Sequence, residues 1–136
     1  MIGIVVVTHA GLAREIKEAA ELILGPLTGV ETISIDRDLS VEVAKDLLGQ
    51  ALERVGSDGD GALILTDMFG GTPTNISAEF LVPGQVEILT GVNLPMLIKC
   101  SSARYGKKVD VLADEMKDYA QKTIMRPAEL LLAAKS

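Results

Sequence analysis

Short, continuous apolar runs alternate along the chain with longer segments in which apolar residues recur every three or four positions. Four of the runs have the length of buried strands and cover residues 2–7, 30–36, 62–66 and 85–89. The run at 30–36 has polar residues at alternate positions and predicts a more exposed strand. Strands that alternate with helices in this way are typical of an α/β domain with a parallel sheet.

Three segments show the spacing of amphipathic helices. The first ends at Gly25-Pro26, the second begins with Ser40 as its N-cap, and the last begins near Asp110. The apolar positions expected to face the sheet are Leu12, Ile16, Ala19, Ala20 and Ile23 in the first helix, Val41, Ala44, Leu48, Ala51 and Val55 in the second, and Leu112, Met116, Tyr119 and Ala120 in the last.

Two joints between a strand and a helix have the same design, a glycine turn followed by a capping residue and a proline. In GGTP (70–73), Thr72 is predicted to cap a helix whose first residue is Pro73. In GVNLP (91–95), Asn93 is predicted to cap a helix that contains Pro95. Two matching joints suggest two loops of defined shape.

The C-terminal segment allows two interpretations. Residues 123–125 could form a short strand before Pro127, or helix could resume at Pro127. We find no linker, internal repeat or low-complexity tract, and therefore expect one domain over residues 1–136.

Composition narrows the possible functions. Hydrophobic residues make up 48 % of the chain and charged residues 24 %, which is typical of a globular protein. A net charge of −6 argues against nucleic-acid binding, and one His with one Cys argues against structural zinc. The chain contains neither of the two glycine-rich nucleotide-binding motifs, G-x-x-x-x-G-K-[ST] and G-x-G-x-x-G. Without a recognisable secretion signal, and with an apolar start too short to cross a bilayer, we expect a cytoplasmic protein.

The only histidine, His9, and an aspartate, Asp67, each follow a predicted central strand. With strand order 2-1-3-4, strands one and three are neighbours at the switch point where parallel sheets bind ligands. A carboxylate next to an imidazole fixes its tautomer and leaves the second ring nitrogen free to attack. The residues Gly70, Gly71, Thr72 and Thr74 would provide N–H groups and hydroxyls for a phosphoryl group.

Each residue also has a simpler interpretation. His9 could be an exposed turn residue, Asp67 could cap a turn, and the glycines and prolines could serve only turns and helix starts. Their projection to one edge of one sheet favours a site. A receiver domain with Asp67 as acceptor would need acids after strand one to hold a metal ion, and THAG (8–11) has none.

Three motifs, THAGLA (8–13), DMFGGTPTN (67–75) and GVNLPML (91–97), resemble the mannose-type enzyme IIA domain of the bacterial phosphoenolpyruvate:sugar phosphotransferase system. The likeness covers essentially the whole chain. It implies a phosphocarrier with a mostly parallel sheet and helices on both faces. Transfer of a phosphoryl group between two nitrogens requires no metal or nucleotide, so we expect no cofactor. It also implies a homodimer that exchanges a C-terminal antiparallel strand.

The resemblance also implies roles for particular residues. His9 corresponds to the histidine that accepts phosphate from phospho-HPr and passes it to enzyme IIB, which serves the membrane subunits IIC and IID. Asp67 corresponds to its partner carboxylate, and Gly70, Gly71 and Thr72 to the loop around the phosphoryl group. The residues of the second signature, near the site, are Gly91, Val92, Asn93 and Pro95.

Two positions depart from the family pattern. Thr74 stands where some members have an aromatic residue, and Phe69 where some have Trp; we expect both to affect partner choice more than chemistry. Two alternative functions remain within the resemblance. One is a regulatory protein controlled by phosphorylation, without a role in transport. The other is a phosphoryl donor to a dihydroxyacetone kinase, although the related domain that does this lacks GGTP and GVNLPM.

Overall fold

Four parallel strands form a sheet between two layers of helices in a computed structural model that describes residues 1–133. The strands are β1 (Gly3–His9), β2 (Val30–Ile35), β3 (Ala62–Thr66) and β4 (Val86–Leu89). The helices are α1 (Leu12–Leu24), α2 (Val41–Val55), α3 (Gly71–Ala78), α4 (Leu94–Ala103), α5 (Val109–Gln121) and α6 (Pro127–Ala133).

The strand order is β2-β1-β3-β4, which confirms the predicted order and the α/β fold class. The two central strands, β1 and β3, are buried almost throughout and therefore lack the alternation of a half-exposed strand. Their register pairs Val7 with Thr66, so both strands end at the same edge of the sheet.

Separate hydrophobic cores cover the two faces of the sheet. One contains Ile4, Val6, Leu63 and Leu65 with buried residues of α1, α4 and α5. The other contains Val5, Val7 and Ile64 with buried residues of α2 and α3. Successive strand residues point to opposite faces, so each central strand contributes to both cores.

The apolar faces predicted for the helices are partly wrong. In α1, Leu12 and Ile23 are exposed, whereas Ala13 and Ala20 are fully buried. The small alanines allow the helix to approach the sheet closely, and this turns the larger side chains at the helix ends outward. Val41 of α2 and Tyr119 of α5 are also exposed, and each lies at the margin of the buried face of its helix.

The second glycine joint forms as predicted and the first does not. The side chain of Asn93 accepts a hydrogen bond from the Met96 N–H at 2.8 Å and caps α4. Helix α3, however, begins at Gly71 with Gly70 as its N-cap, so Thr72 and Pro73 lie inside its first turn. The backbones of Gly70 and Gly71 both have positive φ and make the turn two residues earlier than predicted.

At the C-terminus, helix resumes at Pro127, which was one of the two predicted alternatives. Residues 123–125 form no strand in this single chain, and exchange of a strand with a second copy stays a prediction. The single domain predicted over residues 1–136 extends beyond the described residues at 134–136. Among residues 1–133, every helix is too short or too polar to cross a membrane.

Candidate functional site

His9 is the last residue of β1, at the edge of the sheet where the central strands end. The next residue, Ala10, has a φ of 50° and turns the chain toward α1, while its N–H donates to the Ile35 carbonyl of β2 at 2.9 Å. The His9 side chain is 49 % exposed. The strand therefore fixes the backbone of the histidine and leaves its ring accessible from solvent.

Asp67 lies directly after β3 and contacts His9, as the strand order predicted. One carboxylate oxygen, Oδ2, is 2.9 Å from the ring nitrogen Nδ1 and also accepts the His9 backbone N–H at 2.9 Å. A carboxylate can only accept, so we assign the ring hydrogen to Nδ1. The second ring nitrogen, Nε2, then presents a lone pair away from Asp67.

The environment of Asp67 is mostly dry. Its side chain is 13 % exposed, and the second carboxylate oxygen, Oδ1, is buried without a hydrogen-bond partner among the described residues. The charge of this carboxylate is therefore directed mainly at His9, where it can stabilise a cationic ring.

Gly71, the first residue of α3, lies against the free side of the histidine ring. A Cβ atom at this position would be 3.2 Å from His9 Nε2 and 3.0 Å from Cε1, and the glycine has a φ of +77°. The first-turn N–H groups of a helix have no partner within the helix and carry partial positive charge. An anion attached to Nε2 would thus lie beside a helix N-terminus.

Thr72 and Thr74 differ in their surroundings. Thr72 is half-buried in the first turn of α3, within the loop predicted to bind the phosphoryl group. Thr74 is buried, and its hydroxyl contacts the Thr66 hydroxyl at 2.8 Å and the Met68 carbonyl at 2.5 Å. The Thr74 hydroxyl is therefore engaged inside the loop that carries Asp67.

The second signature loop borders the site through the backbone. The Val92 N–H donates to the carbonyl of Thr66, the last residue of β3, at 2.9 Å. The side chain of Asn93 contacts Met96 and Thr123 instead, the latter at 3.2 Å. Gly91 and Pro95 complete the turn and the first turn of α4. This loop therefore holds the end of β3 through the hydrogen bond from Val92 to Thr66.

Sequence reasoning missed two buried threonines that shape the site. The Thr8 hydroxyl accepts the Ala13 N–H at 2.7 Å and so fixes the start of α1 next to His9. The Thr66 hydroxyl contacts the Thr74 hydroxyl, next to the loop that carries Asp67. Both residues are at the ends of apolar strands, and a threonine at the end of a buried run is the one signal that pointed to them.

Three apolar side chains close to His9 or Asp67 in sequence are exposed. Phe69 is 85 % exposed, and Met68 and Leu12 are also exposed. Within residues 1–133, no group of three or more His, Cys, Asp or Glu side chains is arranged to hold a metal ion.

Comparison with known proteins gives the same family. Residues 3–117 match the family model EIIA-man, described as "PTS system fructose IIA component". The chain is 26 % identical over 137 residues to the fructose-specific EIIA component of Bacillus subtilis, and the match covers 100 % of this chain and 93 % of the relative. It is 33 % identical over 97 residues to the sorbose-specific EIIA component of Lacticaseibacillus casei, which covers 71 % of this chain and 69 % of the relative.

Among solved structures, the phosphotransferase system component EIIA from Streptococcus agalactiae superimposes with a TM-score of 0.83 at 28 % identity. The superposition covers 95 % of this chain and 99 % of that one. The fold, the matched family model and the relatives therefore agree with the three sequence motifs: the chain belongs to the EIIA-man family, the IIA phosphocarriers of the sugar phosphotransferase system.

Proposed function

We propose that His9 is the phosphoryl acceptor of this IIA component and that the phosphoryl group binds to Nε2. The contact of Nδ1 with Asp67 supports this proposal most directly, because it leaves Nε2 as the free nucleophile. The His9 side chain is half exposed, which makes it accessible to a partner protein.

In the proposed reaction, the Nε2 lone pair attacks the phosphorus atom of a phosphohistidine on the donor. The N–P bond of the donor breaks, and its electron pair returns to the donor imidazole. The His9 ring gains positive charge while its hydrogen stays on Nδ1, and Asp67 Oδ2 stabilises that charge at 2.9 Å. In the second transfer, a nitrogen of the acceptor histidine attacks the phosphorus atom. The N–P bond to His9 Nε2 breaks, and its electron pair returns to the His9 ring.

The N-terminus of α3 completes the proposed site. Gly70, Gly71 and Thr72 provide its first backbone N–H groups, which would donate to phosphoryl oxygens as charge accumulates in the transition state. Gly71 is close enough to Nε2 for this role. Because the Thr74 hydroxyl is engaged within the loop, we assign it a different role from the phosphoryl binding predicted by the sequence.

The proposed donor is phospho-HPr and the proposed acceptor is a histidine of enzyme IIB. Both transfers would take place in the cytoplasm. Enzyme IIB would in turn serve the membrane subunits IIC and IID. Membership of the family supports these partners. The exposed apolar side chains of Leu12, Met68 and Phe69, which are close to His9 or Asp67 in sequence, would form their contact surface. Phe69 accordingly fits the role in partner choice that its departure from the family pattern suggested.

We also propose that the protein is a homodimer. A groove of about 390 Å³ beside the free edge of β4 is lined by Ile88, Leu89, Met96 and Ile124, among others. The C-terminal segment beyond α5 also exposes several apolar side chains, namely Ile124, Met125, Leu130, Leu131 and Leu132. Exchange of this segment between two copies would cover both; sedimentation of the chain against a variant that ends after Gln121 tests the proposal.

Phosphate transfer from phosphoenolpyruvate, enzyme I and HPr tests the function and the site together. We expect the wild-type chain to take up one acid-labile phosphoryl group, with peptide mapping locating it at His9. His9→Ala should take up none, and circular dichroism should show that the variant is folded. Phosphate on the His9→Ala chain, or on any other residue of the wild type, would contradict the assignment.

A further inference from the structure

Two buried threonine hydroxyls and one backbone carbonyl form a short hydrogen-bonded chain around Asp67. The Thr66 and Thr74 hydroxyls are 2.8 Å apart, and the Thr74 hydroxyl is 2.5 Å from the Met68 carbonyl oxygen. We call the Thr66 and Thr74 hydroxyls with the Met68 carbonyl the hydroxyl chain. Thr66 is fully buried and Thr74 is nine-tenths buried.

The direction of these hydrogen bonds follows from the number of hydrogens. The Met68 carbonyl can only accept, so Thr74 must donate its single hydroxyl hydrogen to it. The contact between the two hydroxyls then requires Thr66 to donate to Thr74. Each hydrogen bond polarises the next, which strengthens the chain in a dry environment.

The hydroxyl chain fixes the backbone on both sides of Asp67. Thr66 precedes the aspartate and Met68 follows it, and both are bound to one side chain of α3. The carboxylate itself has no hydrogen bond besides those to His9 among the described residues, because Oδ1 is unpaired. Its position relative to the histidine ring therefore depends on the backbone conformation of residues 66–68.

From this geometry we infer that Thr74 is a positioning residue for phosphoryl transfer: its hydroxyl holds the Asp67 carboxylate against Nδ1 of His9. The inference rests on the proposed function of His9, and it assigns Thr74 a role that requires no contact with the phosphoryl group. Thr66 is its partner in that role.

Thr74→Val tests the inference, because valine keeps the shape of threonine and removes the hydroxyl. We expect the single-turnover rate of transfer from phospho-HPr to fall by about tenfold to a hundredfold, as expected for a small misplacement of a catalytic pair. The concentration of phospho-HPr that gives half the maximal rate should not change. Thr74→Ser, which restores the hydroxyl, should recover most of the rate.

Ser77→Ala is the matched control. Ser77 is also buried in α3, and its hydroxyl donates to the Pro73 carbonyl at 2.7 Å without contacting the Asp67 loop. Its loss removes a similar hydrogen bond from the same helix, so the transfer rate should stay near that of the wild type. Equal losses in Thr74→Val and Ser77→Ala, or no loss in either, would overturn the inference.

A second measurement does not depend on phosphoryl transfer. His9 is the only histidine, so nitrogen NMR of the isotope-labelled imidazole reports on this ring alone. The wild type should show mainly the tautomer with hydrogen on Nδ1, and Thr74→Val and Thr66→Val should each show a mixture. An unchanged tautomer in both folded variants would refute the positioning role even if His9 is the phosphoryl acceptor. If the wild type takes up no phosphate while Thr74→Val still changes the tautomer, the positioning role is supported and the proposed function is contradicted.

Discussion

At the scale of single residues, the site depends on which hydrogen-bonding group faces each nitrogen of His9. Asp67 contacts Nδ1, and Gly71 borders Nε2. Each of these two neighbours can be changed separately, and the two changes should affect the reaction for different reasons.

Asp67→Asn replaces an acceptor with a group that can donate to Nδ1. The ring hydrogen would then favour Nε2, the proposed nucleophile, and the negative charge that stabilises the phosphorylated ring would be lost. We expect the transfer rate to fall roughly 100-fold or more, since the corresponding change in a Ser-His-Asp triad costs about 10⁴-fold through the wrong tautomer. Rapid-quench measurements of transfer from phospho-HPr provide the test, and a wild-type rate would contradict the role of Asp67.

Gly71→Ala places a methyl group against the free side of the ring. Its Cβ would be 3.2 Å from Nε2, and the positive φ adds about 1–2 kcal/mol of backbone strain. We expect phosphoryl uptake to be largely lost. Gly84→Ala is the control, because Gly84 has a φ of +80° and an added methyl group there would have no neighbouring atom within 4 Å, His9 included. It should lose similar stability in urea unfolding and keep its activity.

At the scale of helices and strands, one buried arginine connects the end of α4 to the starts of two strands. Arg104 is 2 % exposed and donates to the carbonyls of Ile2, Thr28, Gly29 and Ser101. It thus fixes the beginning of β1, whose other end carries His9.

Arg104→Met should lower the free energy of unfolding by about 3 kcal/mol, because several buried carbonyls lose a charged donor. Urea unfolding measures the change. Arg126→Met provides the comparison, since Arg126 is 73 % exposed and its side chain pairs with Glu129 at the surface; its effect should stay within about 0.5 kcal/mol. Similar losses in the two variants would show that the buried hydrogen bonds of Arg104 contribute little.

The elements themselves were largely predictable, because their signals are local. Apolar runs indicated β1 and β3, and the Asn93 cap with Pro95 indicated the start of α4. The start of α3 was misplaced, because glycines with positive φ replaced the expected threonine cap. The burial of Arg104 and Thr74 had no local signal, since their partners come from distant segments or from the loop geometry itself.

At the scale of the whole molecule, the burial of Cys100 in the core makes the stability of the fold depend on pH. It is fully buried on α4, and burial raises the pKa of its thiol from about 9 to about 12, although Arg104 nearby acts in the opposite direction. The thiol is therefore neutral in the folded protein over a pH range in which the unfolded chain forms a thiolate.

The resulting pH dependence has a defined sign. Below about pH 9 both states retain the proton, so Cys100 contributes no slope. Between about pH 9 and 12 only the unfolded state loses it, and the free energy of unfolding should fall by up to about 1.4 kcal/mol per pH unit. Cys100→Ala should lack this component, so the difference between the two unfolding curves isolates it. Curves that stay parallel above pH 9 would contradict the prediction.

The whole-molecule topology also determined how much of the site could be predicted. Once the order β2-β1-β3-β4 was assumed, the contact between His9 and Asp67 followed from adjacent parallel strands. The sequence placed the Gly70–Gly71 loop at the same edge, but the residue at which α3 begins against the ring did not follow, because it depends on the backbone angles of these two glycines.

The imidazole of His9 is 49 % exposed, and Asp67 occupies its Nδ1 side, which leaves the opening to solvent at the rest of the ring. A protein large enough to cover that opening excludes every other protein while it stays there. If His9 passes phosphate between two proteins as proposed, the donor must leave before the acceptor can dock, and the dissociation rate of each partner should contribute to the overall rate of phosphate flow.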